Sequence, residues 1–206
     1  MSGNRSPERD AVLVLACGAL ARELKAVIDV NHLSNIVVEC LPAALHNRPA
    51  DIPGAIRARL PAAKAEYGRV LIGYADCGTG GELDRICDEE AVERLPGPHC
   101  YQFFAGTDRF TTMHAADPAA FYLTDFLARH FDRLILDGLG ITAHPELEAV
   151  YFGNYTKVVY LAQTDDPALD AAARAAAERL GLEYERVATG YGELETTMVA
   201  FAETST

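Results

Sequence analysis

The chain has little positive charge and lacks any long apolar run. Lysine and arginine number 18 against 30 aspartate and glutamate residues, which gives a formal net charge of −12 over 206 residues. Nucleic acids and anionic membrane surfaces attract basic proteins, so this balance argues against both as partners. A membrane-spanning helix needs roughly 20 consecutive apolar residues, and no run here reaches about 18. We therefore predict no membrane span.

The sequence also lacks a stretch rich in Pro, Ser and Gly that would mark a linker, and its N-terminus lacks the basic-then-apolar order of a signal peptide. Half of the residues are hydrophobic, and they are spread evenly. These features predict a single domain over residues 11–200, with two pseudo-halves left open, and a disordered tail over residues 1–10.

Cysteines are dispersed, and no two of them form a CxxC pair. There are five of them. An odd number in a chain without an export signal fits the reducing cytoplasm better than a disulfide framework. We therefore expect a cytoplasmic protein whose thiols are core residues, metal ligands or reactive groups.

Continuous apolar runs alternate with amphipathic segments along the chain. Runs that are apolar throughout are typical of strands buried on both faces of a parallel sheet. Strands are predicted at residues 11–16, 36–41, 70–75, 99–105, 134–139, 158–162 and 182–187. Helices are predicted at residues 19–30, 51–67, 82–95, 118–131, 145–151 and 168–180. Residues 107–114 are ambiguous. The alternation predicts an α/β fold with a mostly parallel, Rossmann-like open sheet and helices on both faces.

The most informative stretch is a glycine-rich turn that follows the predicted strand at residues 70–75. In an open α/β sheet, the carboxyl ends of the strands form the edge where ligands bind. Glycines allow a ligand close to the backbone, and the N–H groups of the following helix start can hold an anion. The turn matches neither common nucleotide motif, and a plain tight turn is the alternative. The candidate ligand-binding residues are Gly78, Thr79, Gly80 and Gly81.

Two cysteines, Cys17 and Cys77, directly follow apolar runs, so in a parallel sheet both would lie at the same edge. Cys40 falls inside a predicted strand and is expected in the core. Thiolates combined with imidazoles are typical ligands of zinc and of iron clusters. The alternative is that the thiols only pack. The candidate metal ligands are Cys17, Cys77, Cys87, His99, Cys100 and His46.

Asp76 and His144 are the candidate catalytic groups. Asp76 precedes Cys77 in the glycine-rich turn, and His144 lies at a predicted strand-to-helix junction. Both side-chain types transfer protons in enzymes. A carboxylate at a strand end is equally often a helix cap.

Seven short segments also stand out together. They are Ala16-Cys17, Leu45-His46-Asn47, Asp76-Cys77-Gly78-Thr79-Gly80-Gly81, Gly97-Pro98-His99-Cys100-Tyr101, Tyr122-Leu123-Thr124-Asp125-Phe126-Leu127, His144-Pro145-Glu146-Leu147 and Tyr160-Leu161-Ala162-Gln163-Thr164. The set resembles a prokaryotic family of unknown function, over about residues 11–194. Members are often encoded beside corrinoid-dependent methyltransferases that demethylate methylamines and betaines. The resemblance implies a place in methylated-amine metabolism, with methyltransferase components as partners. It assigns no catalytic residue.

Three hypotheses follow. The first is a metal site of thiolates and imidazoles at the carboxyl edge, acting in or beside corrinoid-dependent methyl transfer. Zinc is the first choice of metal, and an iron–sulfur cluster is the second. The second is a metal-free protein that binds a small anionic or corrinoid-type ligand at the glycine turns of Gly78 and Gly190. The third is an assembly partner of a methyltransferase. Whether the chain is an enzyme stays open.

Overall fold

The computed structural model describes residues 11–203, and these divide into two compact units. The first unit contains the described residues up to Cys100 and from Glu193 onward, and the second contains Tyr101–Gly192. The tail predicted at residues 1–10 lies outside the described residues. Each unit has its own sheet, and every strand pairing is parallel.

The secondary structure alternates strands with helices over most of the chain. The strands are β1 (Val12–Cys17), β2 (Ile36–Leu41), β3 (Arg69–Gly73), β4 (Glu93–Arg94), β5 (Ala120–Thr124), β6 (Lys157–Ala162) and β7 (Glu183–Ala188). The helices are α1 (Ala21–Val30), α2 (Ile52–Glu66), α3 (Glu82–Glu90), α4 (Cys100–Ala105), α5 (Thr107–Ala116), α6 (Asp125–Arg129), α7 (Leu147–Phe152), α8 (Pro167–Leu180) and α9 (Glu193–Glu203). Three 3-10 turns cover Gly18–Leu20, Ala43–Asn47 and Pro49–Asp51, and a π-helix covers Asp132–Asp137.

The first unit is built on a four-stranded sheet with the order β2-β1-β3-β4. Every residue of β1 is buried, as its unbroken apolar run requires. Gly73 of β3 lies so close to Ala16 of β1 that a Cβ added at this glycine would be 2.8 Å from the Ala16 Cβ. The sheet therefore packs closely where β1 and β3 end.

The second unit holds a three-stranded sheet with the order β5-β6-β7. Helix α8 covers it with a stripe of small residues that includes the buried Ala173 and Ala177. The side chain of Asp166 caps α8 by accepting from the Ala168 N–H at 2.9 Å, and Gly181 ends it with a φ of 67°. Both ends follow ordinary capping chemistry.

The predicted α/β class is confirmed, because both sheets are parallel and flanked by helices. Several predicted elements are wrong. The strand predicted at residues 99–105 is helix α4 from Cys100 onward, and residues 134–139 lie mostly in the π-helix instead of a strand. The predicted helix at 118–131 is strand β5 followed by the short α6, and the predicted helix at 82–95 ends at Glu90. The ambiguous residues 107–114 belong to α5. Within residues 11–203, no helix has the length and apolarity that a membrane span requires.

Candidate functional site

The candidate site lies where the direction of chain progression reverses in the first sheet. From β1 the chain moves to β2 on one side, and from β3 it moves to β4 on the other side. The carboxyl ends of β1 and β3 therefore flank a topological switch point, the place where open α/β sheets bind ligands. Cys17 is the last residue of β1. Tyr74, Asp76 and Cys77 follow β3 directly.

The glycine-rich turn is organised by the carboxylate of Asp76. This carboxylate accepts hydrogen bonds from the Thr79 hydroxyl at 2.7 Å and from the N–H groups of Gly80 and Gly81 at 3.2 and 2.8 Å. Burial opposes ionisation of Asp76, but the hydrogen bonds from Gly81, Thr79 and Gly80 outweigh it and lower the pKa of this carboxyl. The ionised carboxylate of Asp76 thus already accepts from the N–H groups of the turn, and an anion that enters the turn would have to displace this carboxylate.

Cys77 adopts a conformation that side-chain-bearing residues rarely take. Its φ is 49°, and the φ of Gly78 is 82°. Left-handed backbone at a non-glycine residue costs energy and is concentrated at functional sites. The surrounding hydrogen bonds hold Cys77 in place, since its N–H donates to the Pro98 carbonyl at 2.8 Å and the Asp76 N–H donates to the Gly97 carbonyl at 3.0 Å.

The segment that carries His99 and Cys100 runs beside Cys77. Besides the two bonds to Gly97 and Pro98, the backbone of Cys100 makes a hydrogen bond with the Cys77 thiol. Pro96, Gly97 and Pro98 do not propagate a helix, which frees this segment to follow the end of β3. The structure therefore brings the backbone of Cys100 next to the Cys77 thiol.

Cys17 and Cys77 lie close enough for their charges to interact. Burial raises the pKa of Cys77 to about 12, and the nearby Cys17 contributes to that increase. Burial also raises the pKa of Cys17, which is only 7% exposed. Neighbouring thiols in a poorly solvated place resist ionisation, because each thiolate would repel the other.

Tyr74 contributes a buried hydroxyl to the same place, and the sequence analysis missed it. The side chain is 1% exposed. Its hydroxyl interacts with the Cys17 thiol, a weak partner, and no well-formed hydrogen bond to it exists among residues 11–203. Burial raises the pKa of this phenol, with Cys17 adding to the increase. The available signal was a tyrosine at the end of a fully buried apolar run.

His46 lies in the 3-10 turn at Ala43–Asn47, which packs near the end of β1. A Cβ added at Gly18, next to Cys17, would lie 3.0 Å from the Ala43 nitrogen. Burial lowers the pKa of His46, so its imidazole is neutral at physiological pH. Neutral imidazole is the form that binds metals.

The remaining candidates are placed differently. Cys87 is half-buried on α3, where burial raises its pKa and Arg94 is the charged neighbour that opposes the increase. His99 is exposed. Cys40, predicted in the core, is exposed, because β2 is an edge strand and only part of its surface is covered. Within residues 11–203, no three His, Cys, Asp or Glu side chains are arranged to hold a metal ion.

The second unit carries His144 and a polar cluster that the sequence analysis did not find. The side chain of His144 is 65% exposed and pairs with Glu146 at 3.5 Å. Asp125, at 2% exposure, accepts hydrogen bonds from the Tyr160 hydroxyl at 2.7 Å, the Gln163 N–H at 3.0 Å and the Thr164 hydroxyl at 2.6 Å. The Gln163 side chain in turn accepts from the Asp125 N–H at 2.7 Å. This cluster joins the carboxyl ends of β5 and β6.

Replacing Cys17 by serine tests whether the two thiols interact. Because the Cys17 thiol helps to raise the pKa of Cys77, a hydroxyl that stays neutral should lower that pKa, while burial keeps it above the ordinary value. Thiolates react with iodoacetamide and thiols do not, so Cys77 in metal-free C17S should be labelled faster at strongly alkaline pH, where Cys17 of the natural sequence is ionised. Peptide mass spectrometry measures the extent of labelling at each cysteine separately. An unchanged pH profile for Cys77, equal to that of a C87S control, would show that the sulfurs do not interact.

Comparison with known proteins gives a family but no activity. No curated protein and no solved structure matches the chain. A family model described as a protein of unknown function, DUF1638, matches residues 40–198. That range includes Cys77, Cys100 and His46, and it begins after Cys17. Since the match covers more than half of the sequence, the chain belongs to the DUF1638 family.

Proposed function

We propose that the chain binds a metal through Cys17 and Cys77 at the switch point of the first sheet. Zinc is the first choice of metal, and an iron–sulfur cluster is the second. The observation that supports this best is the position of these two thiols at the carboxyl ends of the adjacent strands β1 and β3. A buried tyrosine hydroxyl without a good partner lies against one of them.

The chemistry of the two thiols favours a cation between them. In the metal-free protein Cys17 is buried and Cys77 is partly buried, and the raised pKa of each thiol keeps it protonated. A divalent metal reverses this balance, because it replaces the repulsion between two thiolates by attraction and deprotonates coordinating thiols outright. Zinc has a strong preference for such thiolate ligands.

Two further side chains are available to complete the coordination shell. Cys100 is adjacent to Cys77 through its backbone hydrogen bond, and His46 offers a neutral imidazole from the turn near the end of β1. Since the described side chains form no three-ligand group as they stand, binding would require side-chain rotation of at least one of them. Cys87, beside Arg94, is not part of the proposed ligand set.

A zinc ion held by three protein ligands keeps a fourth position for a substrate, and it activates a bound thiol or water. The proposal puts such chemistry in or beside corrinoid-dependent methyl transfer of methylated amines, and its support is the sequence resemblance. Methyltransferase components as partners, and the cytoplasm as the location, stay predictions. Co-purification with methyltransferase components under anaerobic conditions would test the partners.

The metal-free alternative has less support, because the anion position of the glycine-rich turn is already filled. The N–H groups of Gly80 and Gly81 donate to the Asp76 carboxylate. A small anionic or corrinoid-type ligand at Gly78–Gly81 would compete with this internal carboxylate. Asp76 is therefore better suited to shaping the turn that carries Cys77 than to proton transfer.

Equilibrium dialysis against zinc under nitrogen, followed by metal analysis, tests the proposal. The natural sequence should bind about one zinc ion per chain, and C17S and C77S should lose most of it. C87S removes a half-buried thiol outside the proposed site and should bind zinc as the natural sequence does. Equal zinc in all four proteins, or none in any of them, would contradict the proposal.

A further inference from the structure

A second candidate binding place lies entirely within the second unit. An open cleft of about 960 Å³ runs between α8 and the segment formed by α6 and the π-helix. Its floor is apolar because α8 presents the small side chains of Ala172, Ala175 and Ala176 there, and these leave space that larger residues would fill. The volume is within the range of small-molecule sites.

Three arginines line this cleft in a chain with a net charge of −12. They are Arg129, Arg133 and Arg179. Arg179 pairs with Glu148 at 2.7 Å. Among residues 11–203, the side chains of Arg129 and Arg133 make no ion pair or hydrogen bond.

Two carboxylates also line the cleft, Asp132 and Asp137. Asp137 accepts a hydrogen bond from the Thr142 hydroxyl at 2.5 Å, and neither carboxylate pairs with an arginine of the cleft in the described structure. The positions of Asp132 and Arg133 are set by the π-helix, a widened helical turn that occurs frequently at functional sites. The lining therefore combines unneutralised guanidinium groups with an apolar floor.

We propose that this cleft binds a small organic anion, with its phosphate or carboxylate group on Arg129 and Arg133 and its apolar part on the alanines of α8. Guanidinium groups bind both oxyanions through paired, charge-assisted hydrogen bonds. The alanine floor supplies the apolar contact that an inorganic ion would not use. The proposal does not depend on the metal site.

Titration with phenyl phosphate, benzoate, inorganic phosphate and phenol, followed by amide NMR and calorimetry, tests the cleft. Phenyl phosphate or benzoate should bind more tightly than either inorganic phosphate or phenol, since only the organic anions use both parts of the cleft. The amide signals that shift should belong to residues 128–137 and 172–179. Which of the two anions binds more tightly identifies the preferred oxyanion.

The variant R129Q/R133Q should weaken binding by about tenfold or more, since each lost charge-assisted hydrogen bond costs a comparable factor. Arg22 provides the matched control, because it is exposed on α1 of the first unit, and R22Q removes a cation away from the cleft. Equal affinity in R129Q/R133Q and R22Q, or shifts confined to other residues, would overturn the proposal. So would the absence of binding by both organic anions.

Discussion

Zinc is expected to stabilise the metal-free protein strongly against unfolding. At a free zinc concentration of 1,000 times the dissociation constant, a ligand that binds only the folded state adds about 4 kcal/mol to the free energy of unfolding. The gain arises because the unfolded chain does not bring Cys17 and Cys77 together. Urea unfolding followed by circular dichroism, with and without zinc under reducing conditions, measures it.

The cysteine variants distinguish this effect from weak binding of zinc elsewhere. C17S and C77S should show little of the gain, while C87S should show nearly all of it, because Cys87 lies beside Arg94 and is outside the proposed ligand set. A stabilisation of equal size in C77S and in the natural sequence would mean that the metal binds at other residues.

Replacing Asp125 by alanine is expected to destabilise the second unit by about 3–5 kcal/mol. Its carboxylate accepts from the Tyr160 hydroxyl and the Gln163 N–H, which are buried, and from the hydroxyl of the exposed Thr164. Each of the two buried donors that loses its acceptor costs roughly 1–3 kcal/mol. The bonds also join the ends of β5 and β6, so hydrogen exchange at the amides of β6 should become faster. Exchange resolved by mass spectrometry measures this directly.

Two milder variants serve as controls for Asp125. D125N keeps the shape and one acceptor oxygen, and the Thr164 hydroxyl can rotate to accept from the new amide, so we expect about half the loss or less. D165N changes a carboxylate that is 94% exposed and should alter stability by less than about 0.5 kcal/mol. If D125A proved as stable as D165N, the cluster would not contribute to holding β5 and β6 together.

The buried strands of the first unit were predictable because their apolar runs are continuous and bounded by turns. In the second unit the strands β6 and β7 were predictable in the same way, but two other short runs were not. Residues 134–139 have the composition of a strand, yet they follow α6 and continue it as a π-helix that buries Leu134 and Ile135. Residues 120–124 were assigned to a helix, but pairing with β6 makes them a strand. Runs of this length fit either state, and tertiary contacts decide between them.

The site shows the same division between what sequence does and does not determine. Cys17 and Cys77 were predictable neighbours, because the carboxyl ends of adjacent parallel strands share an edge. The role of Asp76 as an internal cap depends on how the turn closes on Gly80 and Gly81, which no motif specified. The segment with Asp125 stood out in the sequence, but its role was missed because its partners Tyr160 and Gln163 are far away in the sequence. Tyr74 was missed because its neighbour Cys17 comes from another strand.

X-ray absorption at the zinc edge of the zinc-loaded protein tests the central claim most directly, because it reports the atoms bound to the metal. Coordination by Cys17 and Cys77 would give at least two sulfur neighbours at about 2.3 Å, and C77S would lose one of them. A shell of nitrogen and oxygen atoms alone, at about 2.0–2.2 Å, would contradict a thiolate metal site at the switch point.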